Sequence, residues 1–160
     1  MAYVDESGYF YEITKWVDID GTWYYVEKGY SIRNDWRKDS MGWCWLTEDG
    51  SMAVNTFVQD SIGMAYVDES GYFYEITKWV NIDGTWYYVE NGYSVRNEWR
   101  KDSIGWCRLG DDGAMLTNTW IQDSVGWCYI AEDGYCLANT SRVIDGKTYY
   151  FNANGNCTNR

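Results

Sequence analysis

The chain has 160 residues, with 11 Trp, 16 Tyr, 16 Gly, no Pro, no His and a formal net charge of −11. The acidity excludes a nucleic-acid partner, because phosphate neutralisation needs clustered Lys and Arg, and no run of about 18 apolar residues exists to span a membrane. Trp, Tyr, Val and Ile favour strands while Gly, Asn and Asp favour turns, so the composition specifies an all-β protein.

The first ten residues, MAYVDESGYF, return at 64–73, so Met1 falls inside a repeat and the chain reads as a piece of a longer protein. Residues 1–50 and 64–113 agree at 42 of 50 positions, at an offset of 63. Within that duplication lies a shorter beat: Gly8, Gly29, Gly50, Gly71, Gly92, Gly113, Gly134 and Gly155 recur every 21 residues. Eight units therefore fill residues 1–160 as a single repeat domain, with no linker or break in composition.

Each unit reads as a β-rich strand, an acidic or Asn turn closed by Gly, a second short strand and a connection. In the second and fifth units the segments Trp36 to Gly42 and Trp99 to Gly105 read as connections of the form Trp-x-x-Asp-Ser-x-Gly. In the seventh, Trp127–Ile130 is the first strand, 131–134 the turn and Tyr135–Ala138 the second strand. Gly takes positive φ without steric cost, which makes it a hairpin signal. Asn34, Asn55, Asn97, Asn118 and Asn139, five residues after their Gly, read as turns ending the second strand. One hairpin cannot bury enough surface to stand alone, but eight stacked ones can. The expected architecture is a repetitive β-hairpin solenoid, and strict periodicity weighs against a β-sandwich.

The aromatics keep the same beat. A Trp lies seven residues before the Gly at Trp43, Trp106 and Trp127, or six before at Trp23 and Trp86. Another aromatic lies five before, as at Tyr24, Trp45, Tyr66, Tyr87, Tyr129 and Tyr150, and a third follows by seven or eight at Trp16, Trp36, Phe57, Trp79, Trp99 and Trp120. Positions seven and five before the Gly share one strand face. Part of this set serves as core, together with the apolar residues after the Gly: Phe10, Met52, Phe73 and Met115. The remaining aromatic face is exposed, and regularly spaced exposed aromatics are a binding surface.

Five cysteines, at 44, 107, 128, 136 and 157, form no Cys-x-x-Cys pair and read as small apolar strand residues; a bridge between Cys128 and Cys136 across one turn is conceivable. The carboxylates cluster in repeated turns, as at Asp49, Asp112 and Asp133, where a turn role suffices. Without His, a nucleophile motif or calcium-loop spacing, the sequence implies no catalytic residue, no metal and no cofactor.

The pattern Gly-Trp-x-Tyr-x-x-x-x-Gly and the stretch IDGKTYYFNANG at 144–155 resemble the choline-binding and cell-wall-binding repeats of Gram-positive surface proteins and lytic enzymes. The resemblance extends over all eight units, and glucan-binding repeats share it. It implies a left-handed superhelix of about eight hairpins, a secreted or wall-associated location, and boxes of three aromatics around the choline of teichoic acid. Carried onto this chain, the boxes group Trp16 with Trp23 and Trp45, Trp36 with Trp43 and Tyr66, Trp99 with Trp106 and Tyr129, and Trp120 with Trp127 and Tyr150. Phe57 would meet Met64, and Trp79 with Trp86 would face Arg108, a cation in a cation site. The implied partner is a choline-bearing wall polymer. The alternative is a glucan or similar wall polysaccharide stacked on Trp and Tyr, and homodimerisation is left open.

Overall fold

Turn chemistry sets the hairpins. Asp20-Gly21, Asp83-Gly84 and Asp145-Gly146 each place two successive residues at positive φ, the geometry of two-residue hairpin turns whose twist matches the strands. Elsewhere the turn is Asp-x-x-Gly: Asp39 Oδ1 accepts the N–H groups of Met41 (2.8 Å) and Gly42 (3.1 Å), and Asp60, Asp102 and Asp123 repeat the arrangement. An aspartate here bonds the backbone as a turn would.

The computed structural model describes all 160 residues; it is all-β, built of antiparallel hairpins. The strands are β1 (Lys15–Ile19), β2 (Thr22–Glu27), β3 (Tyr30–Ser31), β4 (Asp35–Lys38), β5 (Trp43–Leu46), β6 (Thr56–Gln59), β7 (Met64–Val67) and β8 (Tyr72–Phe73). They continue as β9 (Lys78–Ile82), β10 (Thr85–Glu90), β11 (Tyr93–Ser94), β12 (Trp99–Lys101), β13 (Trp106–Arg108), β14 (Thr119–Gln122), β15 (Trp127–Ile130), β16 (Thr140–Ile144) and β17 (Lys147–Phe151). The chain divides into two compact units, Met1–Lys78 with Val89–Ser94, and Trp79–Tyr88 with Val95–Arg160.

In the first unit β1, β2 and β3 form one antiparallel sheet. β4 pairs β5, β5 pairs β8, β8 pairs β7, and β7 also takes β6 and β11. Its core holds Ala53, Val58, Ala65 and Val67, with Trp36, Trp45, Phe73 and Tyr93 packed against them. In the second unit β12 pairs β13, β14 pairs β15 and β16 pairs β17, around the fully buried Leu109, Ile130 and Cys107.

The hairpins are phased differently from the expectation. The segment from Trp36 to Gly42 is not a connection: Trp36–Lys38 is strand, and the Asp39 turn returns the chain into Trp43–Leu46. Conversely Tyr135–Ala138 is no full strand, since only Tyr135 and Cys136 form bridges, to Cys107 and Ile130. The 21-residue glycine closes a turn as expected, its N–H donating to the carbonyl three residues back at Gly8, Gly50, Gly71, Gly113, Gly134 and Gly155, and that turn hands the chain to the next repeat. Gly29, at φ 82°, donates its N–H to Ile13 and accepts from Tyr3. A Cβ there would lie 2.5 Å from the Phe10 ring, so only Gly fits both the conformation and the contact. The five asparagines read as turns all have φ between 44° and 52°.

All five cysteines are free, and Cys44, Cys107 and Cys128 are buried. Burial pushes the Cys44 thiol up to about 12 and the Cys107 thiol up to about 11. These are the packing residues of the face opposite the tryptophans.

Candidate functional site

Strand pairing fixes which aromatics share a face. In the β4–β5 hairpin Trp36 lies opposite Trp45, Arg37 opposite Cys44 and Lys38 opposite Trp43. In β1–β2 the equivalent pairs are Trp16 with Tyr25, Val17 with Tyr24 and Asp18 with Trp23. Trp23 is thus the counterpart of Trp43, and Tyr24 the counterpart of the buried Cys44. Counting from the Gly misaligns these hairpins by one, because four residues separate Val26 from its partner Ser31 whereas five separate Leu46 from its partner Met52.

Each candidate site is therefore a diagonal pair on one hairpin face: an anchored aromatic and an exposed Trp. The anchored rings pack edge-on against their cross-strand partners at 5.1–5.2 Å in Trp16–Tyr25, Trp36–Trp45, Trp79–Tyr88 and Trp120–Tyr129. The outer members Trp23, Trp43, Trp86 and Trp106 stay 45–48% exposed. A large ring left half in water on a rigid hairpin carries a cost that the fold does not require.

The grouping of the third walls differs from the expectation. Trp45 packs on Trp36 of its own hairpin, and Tyr129 packs on Trp120. Tyr66 packs on Phe57, is 6% exposed and donates its Oη–H to Asn55. Tyr150 lies opposite Ser141 and is exposed. The residue two after the next Gly stands beside each pair instead, because its N–H donates to the carbonyl of the outer Trp: Met52 to Trp23, Met115 to Trp86, Cys136 to Trp106 and Cys157 to Trp127. Phe73 lies opposite Trp43 and packs on Trp36 at 5.5 Å. Met52 and Met115 thus stand at the Trp pairs rather than in a core, while Phe73 packs against the core of the first unit as expected and also lies on Trp36.

Arg108 does not face Trp79 and Trp86. It lies opposite Trp99, with its guanidinium 5.8 Å from that ring. The Trp79 and Trp86 pair, with Met115, is built like the Trp16 and Trp23 pair with Met52.

Two of these sites open as clefts. One, of about 330 Å³, is lined by Trp16, Trp23, Asp39, Met52, Ser70 and Tyr72. The other, of about 230 Å³, is lined by Trp99, Trp106, Asp123, Cys136, Asn154 and Asn156, with the buried Cys128 at its back.

Both clefts contain an aspartate, Asp39 in one and Asp123 in the other; sequence reasoning set Asp39 in a connection and gave neither a part in binding. At Asp39 and at the equivalent Asp60 and Asp102, a tyrosine 33 residues further on donates to the second carboxylate oxygen: Tyr72 to Asp39 (3.0 Å), Tyr93 to Asp60 (3.1 Å) and Tyr135 to Asp102 (2.7 Å); 33 residues after Asp123 the sequence has Asn156. Trp36 Nε1 also donates to Asp60 Oδ2 at 3.1 Å, whereas the buried Trp16 Nε1 faces Asp39 without closing a sound hydrogen bond. Partial burial works against ionising Asp39, Asp60 and Asp102, but the donated hydrogen bonds outweigh it and hold all three below the ordinary carboxylate value. The 33-residue spacing of Asp and Tyr was the available signal.

At the last pair, Trp120 packs against Tyr149 at 4.8 Å and stacks on Phe151 at 5.9 Å. The Arg160 guanidinium sits 4.1 Å from the Trp120 ring and 3.8 Å from the Trp127 ring. The two rings, 6.5 Å apart and nearly perpendicular, hold a cation of this chain between them. Lys38 and Lys101 lie over Trp43 and Trp106 at 5.7 and 5.6 Å.

Residues 14–28, 77–92 and 144–157 match a family model described as "Putative cell wall binding repeat". No curated protein matches the chain. Among solved structures, the modular autolysin LytC of Streptococcus pneumoniae, in complex with a synthetic peptidoglycan ligand, is similar over 91% of this chain and 33% of its own, at 25% identity and a TM-score of 0.69. CbpJ of Streptococcus pneumoniae is similar over 91% of this chain and 48% of its own, at 29% identity and a TM-score of 0.62. Choline binding protein F of the same organism, crystallised with a peptidoglycan analogue, is similar over 91% of this chain and 52% of its own, at 25% identity and a TM-score of 0.59. The chain spans between a third and about half of these structures.

Proposed function

The chain carries cell wall binding repeats of the kind seen in pneumococcal choline-binding proteins, and from that premise we propose that it is a non-catalytic module attaching to a choline-bearing wall polymer. The ligand group is a quaternary ammonium, and the sites are the Trp pairs 16/23, 36/43, 79/86, 99/106 and 120/127, each walled by a residue of the next repeat. The observation that carries this reading is the Arg160 guanidinium held by Trp120 and Trp127. A weakly hydrated cation already rests where the ligand cation would.

The physics suits the role. A quaternary ammonium forms no hydrogen bond, sheds water cheaply and gains roughly 0.5–2 kcal/mol from a ring face. One such cleft is weak; several sites engaging one polymer add avidity through effective concentration. A net charge of −11 adds long-range attraction for cations. The location this implies is the cell surface, and the parent protein is a larger lytic enzyme or surface protein.

A second reading, a wall polysaccharide stacked on the same rings, is favoured by Asn154 and Asn156 beside Trp99 and Trp106, which would bond sugar hydroxyls. Choline titration separates the two. Millimolar choline is expected to quench Trp fluorescence and to elute the chain from a tertiary-amine resin. Trp106→Ala is expected to weaken retention with an unchanged β signal in circular dichroism, since Trp106 is half exposed. No response to choline, together with retardation in a glucan gel, would establish the polysaccharide reading.

A further inference from the structure

The aspartates at 39, 60, 102 and 123 do more than close turns. Turn closure uses one carboxylate oxygen, Oδ1, which takes two backbone N–H groups in each case. An amide oxygen does that work equally well in this chain. Asn81 accepts from Gly84 N–H at 3.0 Å where the duplicated Asp18 accepts from Gly21 N–H at 2.8 Å, and Asn152 accepts from the N–H groups of Asn154 and Asn156. Backbone geometry therefore does not require a charge at these four positions.

In three of the four the second oxygen shows where the charge is directed. In Asp60 it takes the Trp36 indole and the Tyr93 hydroxyl; in Asp39 and Asp102 it takes Tyr72 and Tyr135. Every one of these donors is neutral. Neutral donors fix a carboxylate and keep it ionised, yet leave its negative charge uncancelled. Asp39 lines the cleft of Trp16 and Trp23, and Asp123 lines that of Trp99 and Trp106. The 63-residue duplication carries the Asp39 arrangement to Asp102, next to the repeat of Trp79 and Trp86. Beside low-dielectric aromatic walls such a charge is poorly screened.

We propose that Asp39, Asp60, Asp102 and Asp123 are the specificity-determining residues of the Trp clefts, each a fixed negative charge that selects a quaternary ammonium over an uncharged group of the same shape. The inference rests on the reading that the clefts bind a ligand, and adds that the discrimination is electrostatic and comes from outside the rings. Ring faces supply contact area for a cation and an isosteric hydrocarbon alike. The carboxylate distinguishes them.

The test compares choline with 3,3-dimethylbutan-1-ol, its neutral isostere, by calorimetry on the intact chain. The wild type is expected to prefer choline. In the quadruple variant D39N/D60N/D102N/D123N that preference is expected to shrink about tenfold, the scale of one partly screened charge pair, through loss of choline affinity alone. If the quadruple variant loses its β signal, Asp102→Asn serves instead, since Tyr135 can rotate to donate to or accept from an amide; the preference then shrinks only at that cleft, as a weaker second phase of the choline titration. An equal loss for both ligands would overturn the proposal and make the aspartates positioning residues for the rings. An unchanged ratio would overturn it too. A wild type that binds neither compound would overturn the binding reading itself, which a preserved but charge-independent affinity would not.

Discussion

Single carboxylates link this fold to pH. Asp49 accepts from the Thr47 and Ser51 hydroxyls and the Ser51 N–H, which hold its carboxyl down at about 2, led by the Ser51 and Thr47 hydroxyls. Asp39, Asp60 and Asp102 are also held below the ordinary value of 3.8. A depressed folded-state pKa contributes stability that is present above the unfolded value and lost as pH falls through the folded one. The tyrosines bonded to them behave oppositely: burial, followed by the carboxylate, pushes Tyr72 and Tyr135 up to about 12. Their contribution is present below 10 and fades as pH rises toward 12. Melting followed by circular dichroism is therefore expected to be flat from about pH 5 to about pH 9 and to fall on either side. A melting temperature unchanged between about pH 5 and about pH 2.5 would show that these hydrogen bonds do not favour the ionised form.

At the scale of the hairpin, β14–β15 is the case in which the proposed site is already filled. Arg160 lies on both Trp120 and Trp127, so a cationic ligand must displace it there. Arg160→Ala is expected to add one equivalent to a choline titration monitored by Trp fluorescence, with the β signal unchanged; the same stoichiometry in both proteins would show that the guanidinium does not compete. The 21-residue glycines and the asparagines five residues later were legible in the sequence because only Gly and Asn readily take the positive φ those points require. The hairpin phase was not. Asp39 to Gly42 and Thr47 to Gly50 both carry turn chemistry, and only the cross-strand pairing of Trp36 with Trp45 shows which of the two folds the longer strands together. The Trp pairs were legible for the same reason as the beat, since both members lie on one hairpin. Their third walls come from the next repeat, as expected, but from the residue two after its Gly and not five before it, and their tyrosine tethers come from 33 residues away, a reach that spacing within one unit does not report.

At the scale of the whole chain, the duplication supplies an internal control on what sequence alone decides. Residues 1–10 and 64–73 are identical, yet Val67 and Ala65 are 0% exposed while their counterparts Val4, 51% exposed, and Ala2 are both exposed. The difference is the neighbour. β6 lies along β7, setting Thr56 opposite Val67 and Val58 opposite Ala65, and Trp43 of β5 lies opposite Phe73. In the first copy Val4 makes only a bridge to Phe10, and Ala2 one to Tyr30. Stability in such an array is the sum of a repeat's own terms and those of its contacts with adjacent repeats, and the first copy lacks part of the second sum. Burying two or three further apolar side chains contributes a few kcal/mol, at roughly 1.5–3 kcal/mol each, so opening of the second copy is suppressed by about two orders of magnitude or more relative to the first. Amide hydrogen exchange followed by resonance-assigned NMR is expected to show that gap between Ala65 to Val67 and Ala2 to Val4. Because the two stretches have the same sequence, their intrinsic exchange rates are nearly the same, and the ratio measures packing almost alone. Equal protection in the two copies would mean that the cross-repeat contacts contribute little, and that each unit stands on its own hairpin.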